Sequence, residues 1–519
     1  MNQFILPADF DVHTLVELLK NETAVSPQES IIEQWSLYDT FDWRLYNKSL
    51  SLLRVGRRFT LQTLATGTTA VQLELDEPPQ FVWDIPHSPL RTKLAPIVSM
   101  RALMLLANIT QKTTNHRILN KDEKTIAWVN LASYHTPQES DLPLLQLVTV
   151  QPVRGYNKAE ARLAEQFKAQ QFKENDGAVI PLLLLACGYN PGSYSAKLNV
   201  ELKPDMRADT ATNMILRYLL QIMKMNERYI KQDVDTEFLH DYRVSVRRTR
   251  SALSQVKAVF PEAQTARFKQ DFKFIGQLSN QLRDLDVYLL AENDYKAKLP
   301  RFLQDDIQPL FAYLQSKRQG ALQAVVDGLE SAEYKRIMQD WELFLEEPTQ
   351  DDETAVNAAM PILKLAQKRI YKRHQRIIKN GSVILVDNRD ELLHDLRLEC
   401  KKLRYLMEFF ATLFPPEKIS LLVRQLKQLQ DNLGDFNDYC VQEKYLLHVA
   451  REMPMRGKAS RDALIAIGCL VGTLHQQREQ VKSEFANAFN QFASPPNEAL
   501  FTELFAPQKN GKKKKGGQA

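Results

Sequence analysis

The sequence predicts an α+β protein of several domains, with an antiparallel, barrel-like β domain at the N-terminus and an all-α domain after it. Short strand-like segments separated by turn residues fill residues 1–200. From about Ala208 onward, long segments place apolar residues at i, i+3 and i+4, the spacing of one helix face. The length of 519 residues accommodates two or three domains with their own cores.

The N-terminal domain, residues 1–200, is predicted to contain two helices and several short strands. The helices are Asp11–Lys20, which is apolar at helical spacing, and Asn157–Lys173, which is rich in Ala, Glu and Lys. Because strands follow one another with few helices between them, an antiparallel sheet or barrel is expected. The predicted strands are Gln34–Tyr38, Leu50–Val55, Phe59–Leu64, Ala70–Leu75, Gln80–Trp83, Ile126–Leu131 and Leu144–Val150.

A domain boundary is predicted near Gly188–Pro204, where Asn190-Pro191-Gly192-Ser193 interrupts the pattern. An all-α domain follows over residues 205–505, and the lysine-rich residues 506–519 are expected to form a disordered tail. The predicted helices are Thr210–Tyr229, Phe238–Val259, Ala263–Ala291, Leu299–Ser331, Tyr334–Leu345, Thr354–Lys379, Arg389–Phe414, Glu417–Ala450 and Ser460–Phe492.

Several classes of protein are disfavoured by composition. The cysteines at 187, 400, 440 and 469 are far apart and lack metal-ligand spacing, which favours reduced thiols in a cytosolic protein without a zinc site. No apolar run reaches 18 residues, so no membrane-spanning helix is expected, and the first residues lack the basic start of a signal peptide. The net charge of +5 is small, so a site for a polyanion requires clustered charge.

Clustered charge occurs in an internal repeat of the helical domain. The shared pattern is H-x-x-R-x-x-x-(R/K)-(R/K)-x-R, and its two copies lie 154 residues apart. A second matching segment follows each copy, with Arg283-Asp284 in the first and Gly434-Asp435 in the second. Repetition of polar positions indicates more than core packing, which would repeat apolar ones. The copies consist of His240, Arg243, Arg247, Arg248 and Arg250, and of His394, Arg397, Lys401, Lys402 and Arg404.

On a helix, positions 240, 243, 247 and 250 fall within a stripe about 80° wide. Like charges at this spacing repel each other and require counter-charges. Internal carboxylates could supply them, and the candidates are Asp284, Asp286, Asp435 and Asp438. An external polyanion is the alternative.

A third basic cluster favours the external polyanion. The segment between Pro361 and Asn380 contains no Asp or Glu. A single such run is usually a solvated helix face, but three basic faces in one domain indicate a functional site that contacts phosphate through Arg and Lys. The basic residues of the segment are Lys364, Lys368, Arg369, Lys372, Arg373, Arg376 and Lys379.

With these motifs, residues of about 205–505 resemble a CHAD domain, the conserved-histidine α-helical domain. The resemblance rests on the two H-x-x-R copies and on the L-R-D-x-D-V segment at Leu282–Val287. It implies two pseudo-symmetric four-helix bundles around a basic cavity that binds inorganic polyphosphate, often at polyphosphate granules. Gly434 departs from the pattern where the first half has Arg283, so the two halves are not expected to bind identically.

The N-terminal part resembles a CYTH, or triphosphate-tunnel, domain over Tyr38–Leu45 and on to Leu53-Arg54. The E-x-E-x-K motif of that family is absent, because Met1–Phe10 has an acid only at Asp9. The late strand Leu144–Val150, where acids are expected, has none. Tunnel hydrolysis requires carboxylates that hold a metal. The domain is therefore interpreted as a degenerate, non-catalytic relative.

The sequence thus predicts a non-enzymatic polyphosphate-binding protein of the cytoplasm or of polyphosphate granules, with no cofactor, metal or membrane partner. The predicted ligand contacts are Arg283, both repeat copies and the cluster at 364–376. One alternative is a triphosphatase or polyphosphatase that acts through residues 1–200. The other is a general binder of nucleic acids or polyanions, which the scarcity of exposed-looking aromatics beside the basic faces disfavours, Tyr405 being an exception.

Overall fold

The structure is a computed structural model that describes residues 2–10, 12–20, 25–27, 29–137, 142–175, 178–347, 352–387, 389–454 and 457–507. The chain folds into two compact units, Met1–Ser195 and a second that begins at Ala196. The predicted disordered tail lies outside the described residues from position 508 onward.

The first unit is built on one antiparallel sheet. Its described strands are β1 Asn2–Leu6, β2 Val25–Pro27, β3 Ile31–Asp39, β4 Leu50–Val55, β5 Arg58–Thr63, β6 Thr69–Glu74, β7 Met104–Leu119, β8 Thr125–His135, β9 Leu145–Pro152 and β10 Lys173–Glu174. The strand order is β10-β1-β9-β8-β7-β3-β4-β5-β6, and β2 pairs with β7. The described helices of this unit are α1 Val12–Lys20, α2 Pro89–Val98, α3 Asn157–Ala169 and α4 Val179–Ala186.

The sheet is open, so the predicted antiparallel sheet is confirmed, whereas the barrel-like form is wrong. Among the described strands no pairing joins the two ends, β10 and β6. These ends need no closure: β10 has only two residues, and β6 exposes polar side chains such as Thr69 and Glu74. Apolar residues cover the sheet where α1 and α3 pack on it through Leu15 and Phe167.

Two differences from the predicted strands have local causes. The longest strand, β7, escaped prediction because its residues, from Asn108 to His116, are mainly polar and show no apolar alternation. The predicted strand Gln80–Trp83 is instead a short helical turn at Val82–Asp84. The Asp84 carboxylate accepts from the backbone N of Phe81 at 2.8 Å and so stabilises that turn.

The second unit is helical over its described residues, as the sequence predicted. Its helices are α5 Ala208–Lys231, α6 Thr236–Gln255, α7 Glu262–Leu278, α8 Asn280–Leu290, α9 Glu292–Ala297, α10 Gln308–Glu330, α11 Ala332–Glu346, α12 Ile362–Ile384, α13 Asp390–Phe409, α14 Pro416–Glu452, α15 Gly457–Phe492 and α16 Pro495–Phe505. Helices α5, α6, α7, α8, α10 and α11 pack together, as do α12–α16, and α6 packs against α13. The pseudo-symmetry of two four-helix bundles stays a prediction.

A break between α7 and α8 interrupts the first set of helices. The sequence predicted a single helix over Ala263–Ala291, but α7 ends at Leu278 and α8 begins at Asn280. Ser279, with φ −109° and ψ 7°, lies between them and is buried. At this break, Gly276, Ser279 and Asn280 present polar groups to Arg243 of α6.

Candidate functional site

Helix α6 carries the first copy of the repeat along one face. Asp235 caps its N-terminus by accepting from the backbone N of Glu237 and Phe238 at 2.9 and 3.2 Å. The apolar face of the helix, with Tyr242 and Val246, is buried. Packing of that face turns the opposite face, with Arg243 and Arg247, toward the outside of the bundle.

Arg243 is held by neutral acceptors at the break between α7 and α8. Its Nη1 donates to Ser279 Oγ at 2.8 Å and to the Gly276 carbonyl at 3.4 Å. Its Nη2 donates to Asn280 Oδ1 at 3.0 Å. These contacts orient the guanidinium without neutralising it, so its charge remains for another partner.

A cavity of about 350 Å³ opens beside this arginine, between α6, α8 and α14. One wall is basic and contains residues of the first repeat copy together with Arg283 of α8. Two carboxylates also face the cavity, Asp284 of α8 and Asp438 of α14. The full lining is His240, Arg243, Arg247, Arg283, Asp284, Val287, Tyr288, Asp438, Val441, Gln442 and Tyr445.

The basic wall lacks matching counter-charges. Across the described residues, no carboxylate lies within ion-pair distance of Arg243, Arg247 or Arg283. Arg283 Nη1 is buried without a hydrogen-bond partner among the described residues. Burial and the positive charges of Arg247 and Arg283 together lower the pKa of Arg243 to about 10, although Asp284 opposes the shift. An anion in the cavity would relieve both the desolvation and the repulsion.

Two of the four carboxylates proposed as counter-charges, Asp284 and Asp286, do not pair with the repeat arginines. Asp286 accepts from Arg318 Nε of α10 at 2.7 Å, and Arg318 also pairs with Asp233, so Asp286 joins helices. Asp284 faces the cavity, and burial raises the pKa of its carboxyl although Arg243 and Arg283 oppose the shift. Neither carboxylate forms an ion pair with a repeat arginine in the described structure.

Helix α13 carries the second copy and crosses α6. Arg248 Nη2 of α6 lies 3.0 Å from Glu408 Oε2 of α13, and Gln255 Nε2 donates to the Lys402 carbonyl at 3.1 Å. Burial, together with the charges of Arg397 and Arg247, lowers the pKa of Lys401 to about 8. The two copies therefore contribute to one positive field.

Most cations of the second copy have internal carboxylate or amide partners, whereas Arg243 and Arg247 of the first copy have no carboxylate partner among the described residues. His394 Nδ1 lies 2.9 Å from Asn437 Oδ1, and Arg397 Nη2 lies 3.1 Å from Asp438 Oδ1. Lys402 Nζ pairs with Glu399 at 2.9 Å. Arg404 Nε pairs at 2.7 Å with Glu408, the same carboxylate that Arg248 contacts. Over the described residues, Lys401 alone in this copy has no such partner.

The third basic cluster, on α12, divides into two sets. Arg373 and Arg376 converge on the buried Glu399 of α13, where Lys402 also pairs. These cations stabilise the contact between α12 and α13. Arg369 Nη2 donates to the Lys257 carbonyl at 3.2 Å. The exposed side chains of Lys364, Lys368 and Lys372 form a row at i, i+4 and i+8, and Arg250 of α6 is also exposed.

The segment that carries the CYTH resemblance forms a structural turn. Asp39 is buried and accepts from the backbone N of Thr40, Leu45 and Tyr46 at 2.7–2.9 Å. Burial raises the pKa of its carboxyl to about 6. Asp42 lies 2.9 Å from Arg44 and 3.5 Å from Arg101. These carboxylates are satisfied internally.

Two further features of the described residues bear on function classes. They contain no group of three or more His, Cys, Asp or Glu side chains placed to hold a metal ion. Among them, no helix combines the length and apolar character needed to cross a membrane.

Comparison with known proteins identifies part of the helical unit. Residues 214–447 match the family model of the CHAD domain, which confirms the resemblance that the sequence motifs indicated. No curated protein matches the chain. A crystal structure of the CHAD domain from the plant Ricinus communis is 24% identical, with a TM-score of 0.48, and the match covers 57% of this chain and 95% of that one. PptA from Streptomyces chartreusis is 16% identical, with a TM-score of 0.41 over 55% of this chain and 99% of that one.

Proposed function

We propose that this CHAD-containing chain binds inorganic polyphosphate without catalysis, through the cavity between α6, α8 and α14. The observation that carries the proposal is the basic wall of Arg243, Arg247 and Arg283, which has no carboxylate partner among the described residues. The family resemblance implies the same ligand. Association with polyphosphate granules follows as part of the proposal.

A phosphate chain meets the chemical demands of this wall. Each guanidinium can donate two parallel hydrogen bonds to phosphate oxygens, and charge-assisted bonds of this kind are stronger than neutral ones. Arg243 is already oriented by Ser279 and Asn280, so little side-chain freedom remains to be lost on binding. The repeated negative charge of the polymer matches several cations on neighbouring helices.

The cations outside the cavity suggest how a longer polymer is accommodated. The positive charge of Arg247 on α6 helps to lower the pKa of Lys401 on α13, so the positive field extends from the cavity wall toward α13. The exposed row of Lys364, Lys368 and Lys372 on α12 offers mobile point charges. We assign the cavity to specific contacts and these lysines to affinity that grows with polymer length.

Binding of four polyanions by the full-length chain tests the proposal. Long-chain polyphosphate, tripolyphosphate, single-stranded DNA and RNA are compared at equal salt by calorimetry. We expect polyphosphate to bind most tightly and its affinity to fall steeply with salt, by analogy with counterion release from nucleic acids. Equal or tighter binding of DNA or RNA would instead favour the general polyanion binder.

The non-enzymatic part of the proposal has a separate test. The E-x-E-x-K motif is absent from the N-terminal unit, and Asp39 and Asp42 are held in a turn. We expect no phosphate release from tripolyphosphate with Mg²⁺ or Mn²⁺. Metal-dependent turnover that co-purifies with the protein and is lost when residues 1–200 are deleted would establish the triphosphatase alternative.

A further inference from the structure

The cavity has a second wall that inorganic phosphate would not use. Besides the arginines, the cavity lining contains Val287, Tyr288, Val441 and Tyr445, and these side chains form the second wall. Val287 and Val441 are 41% and 53% exposed, so both offer apolar surface to a ligand in the cavity. A chain of phosphates has no apolar surface to place against these groups, so the wall matches a different part of a ligand.

The aromatic part of this wall is a stack. The rings of Tyr445 and Tyr288 lie 4.3 Å apart at an angle of 16°. The stack continues inward to Tyr295, at 6.2 Å and 21°, and then to Phe311, at 6.4 Å and 28°. Tyr288 and Tyr295 are buried, whereas Tyr445 is half-buried and forms the outer end. A rigid stack that ends in a cavity offers a platform for one more planar ring.

Helix α14 sets this platform beside hydrogen-bonding groups. Asp438, Val441, Gln442 and Tyr445 follow each other at i, i+3, i+4 and i+7, so they share one helix face. The Gln442 amide both donates and accepts hydrogen bonds, and the Asp438 carboxylate accepts them. Amide and carboxylate groups next to an aromatic surface are the usual means of recognising the edge of a nucleobase.

We propose that the cavity also binds a nucleoside polyphosphate, with the phosphates on Arg243, Arg247 and Arg283 and the base stacked on Tyr445. The inference rests on the proposed function, because it uses the same phosphate-binding wall. The volume of the cavity, about 350 Å³, lies at the small end of the range of roughly 300–1,000 Å³ for small-molecule sites. A bound nucleotide excludes a polyphosphate segment from this cavity.

The test compares phosphate ligands with and without a group that could contact the second wall. Calorimetry with the full-length protein measures ATP, tripolyphosphate, octyl phosphate and long-chain polyphosphate at the same salt and pH. The variants are Tyr445→Leu, which keeps apolar bulk, Tyr445→Phe, which keeps the ring, and Arg243→Ala. We expect ATP to bind wild type roughly tenfold more tightly than tripolyphosphate, as stacking of one base predicts.

The expected pattern separates the two walls. In Tyr445→Leu, ATP should lose its higher affinity relative to tripolyphosphate, while the affinity for tripolyphosphate should not change. In Tyr445→Phe, ATP should still bind more tightly than tripolyphosphate. In Arg243→Ala, the affinity for every ligand should fall. Equal affinities of ATP and tripolyphosphate in wild type would overturn the inference, as would octyl phosphate binding as tightly as ATP. If polyphosphate still binds in an Arg243-dependent manner, the proposed function survives that failure. If no ligand binds, both proposals are wrong.

Discussion

Arg248 and Glu408 form an ion pair of 3.0 Å that joins α6 to α13, the two helices that carry the repeated motif. Glu408 also pairs with Arg404, the last residue of the second copy. One carboxylate thus fixes a cation from each copy, and these cations act as structural residues. The contrast with Arg243 and Arg247, which have no carboxylate partner in the described structure, separates the basic residues into two classes with different expected behaviour.

Loss of the unpaired cations should weaken binding and spare the fold. In Arg243→Ala/Arg247→Ala we expect polyphosphate affinity to fall by about tenfold per arginine, or about 1.4 kcal/mol each, because two charge-assisted contacts are removed. The melting temperature should change little, since relief of the mutual repulsion offsets the loss of the Arg243 hydrogen bonds to Ser279 and Asn280. Calorimetric titration and thermal unfolding measure the two quantities.

The matched control removes two charges that do not line the cavity. Lys335→Ala/Arg336→Ala takes away two exposed cations of α11. It should change affinity only through net charge, an effect that high salt removes. A loss in the control as large as in the Arg243/Arg247 variant, or a cavity variant that fails to fold, would show that the cavity assignment is wrong.

Glu399 should behave in the opposite way, as a structural group. Glu399 is buried and forms ion pairs with three cations, Arg373, Arg376 and Lys402. Glu399→Gln leaves these charges without a counter-charge, so we expect the free energy of unfolding in urea to fall by about 3 kcal/mol. Arg373→Met, which removes the most buried of the three cations, should also destabilise the protein.

The pH dependence of the Glu399 variant has a defined sign. Hydrogen bonds from Lys402 and Arg373 hold the pKa of Glu399 below its usual value, against the effect of burial. The contribution of Glu399 is therefore present above the unfolded pKa, and it is lost as the pH falls through the lower folded pKa. The stability difference between wild type and Glu399→Gln should shrink on acidification, and a difference that persists at low pH would contradict the ion-pair role.

Asp438 should act as an internal competitor of the ligand. It lies 3.1 Å from Arg397 and also faces the cavity. Asp438→Asn removes a negative charge from the site and releases Arg397, so polyphosphate affinity should rise several-fold. Because the Asp438 side chain is 60% exposed, stability should change by less than about 1 kcal/mol. Asp327→Asn, on the exposed face of α10, is the control for charge alone, and an equal gain there would remove the case for a local effect.

Sequence patterns predicted the helical unit well because its apolar periodicity is strong. The spacing around Tyr242 and Val246 placed α6 and its basic face together. The sequence did not predict the break at Ser279, since no proline lies near it and Gly276, three residues earlier, lies inside α7. That break supplies the acceptors that orient Arg243, so a central part of the site could not be derived from spacing.

The sequence likewise did not predict which carboxylate pairs with which cation. Arg243 and Arg397 occupy equivalent positions in the two copies of the repeat. However, Arg243 contacts neutral groups, whereas Arg397 contacts Asp438. Which carboxylate approaches which cation depends on how α13 and α14 pack. The aromatic wall was also missed, because Tyr288 and Tyr445 belong to helices distant in the chain and look like core residues separately. The only available signal was the i, i+3, i+4, i+7 spacing from Asp438 to Tyr445.

Lys401 should make ligand binding depend on pH in the mildly alkaline range. Burial lowers its pKa to about 8, helped by Arg397 and Arg404 on its own helix and by Arg247 on α6, while Asp438 on α14 opposes the shift. In the protein without ligand, the Lys401 side chain is mostly charged at pH 7 and mostly neutral at pH 9. Polyphosphate affinity should therefore decrease as the pH rises through about 8, because Lys401 loses its positive charge.

Stability should change in the other direction over the neighbouring window. An unfolded lysine titrates near 10.4, so between about pH 8 and 10 the unfolded chain binds more protons at this site than the folded one. The free energy of unfolding should accordingly rise with pH while affinity falls. In Lys401→Arg the charge persists throughout, so both slopes should flatten. Titrations and urea unfolding from pH 7 to 10 measure both quantities, and an unchanged pH profile in Lys401→Arg would show that another group is responsible.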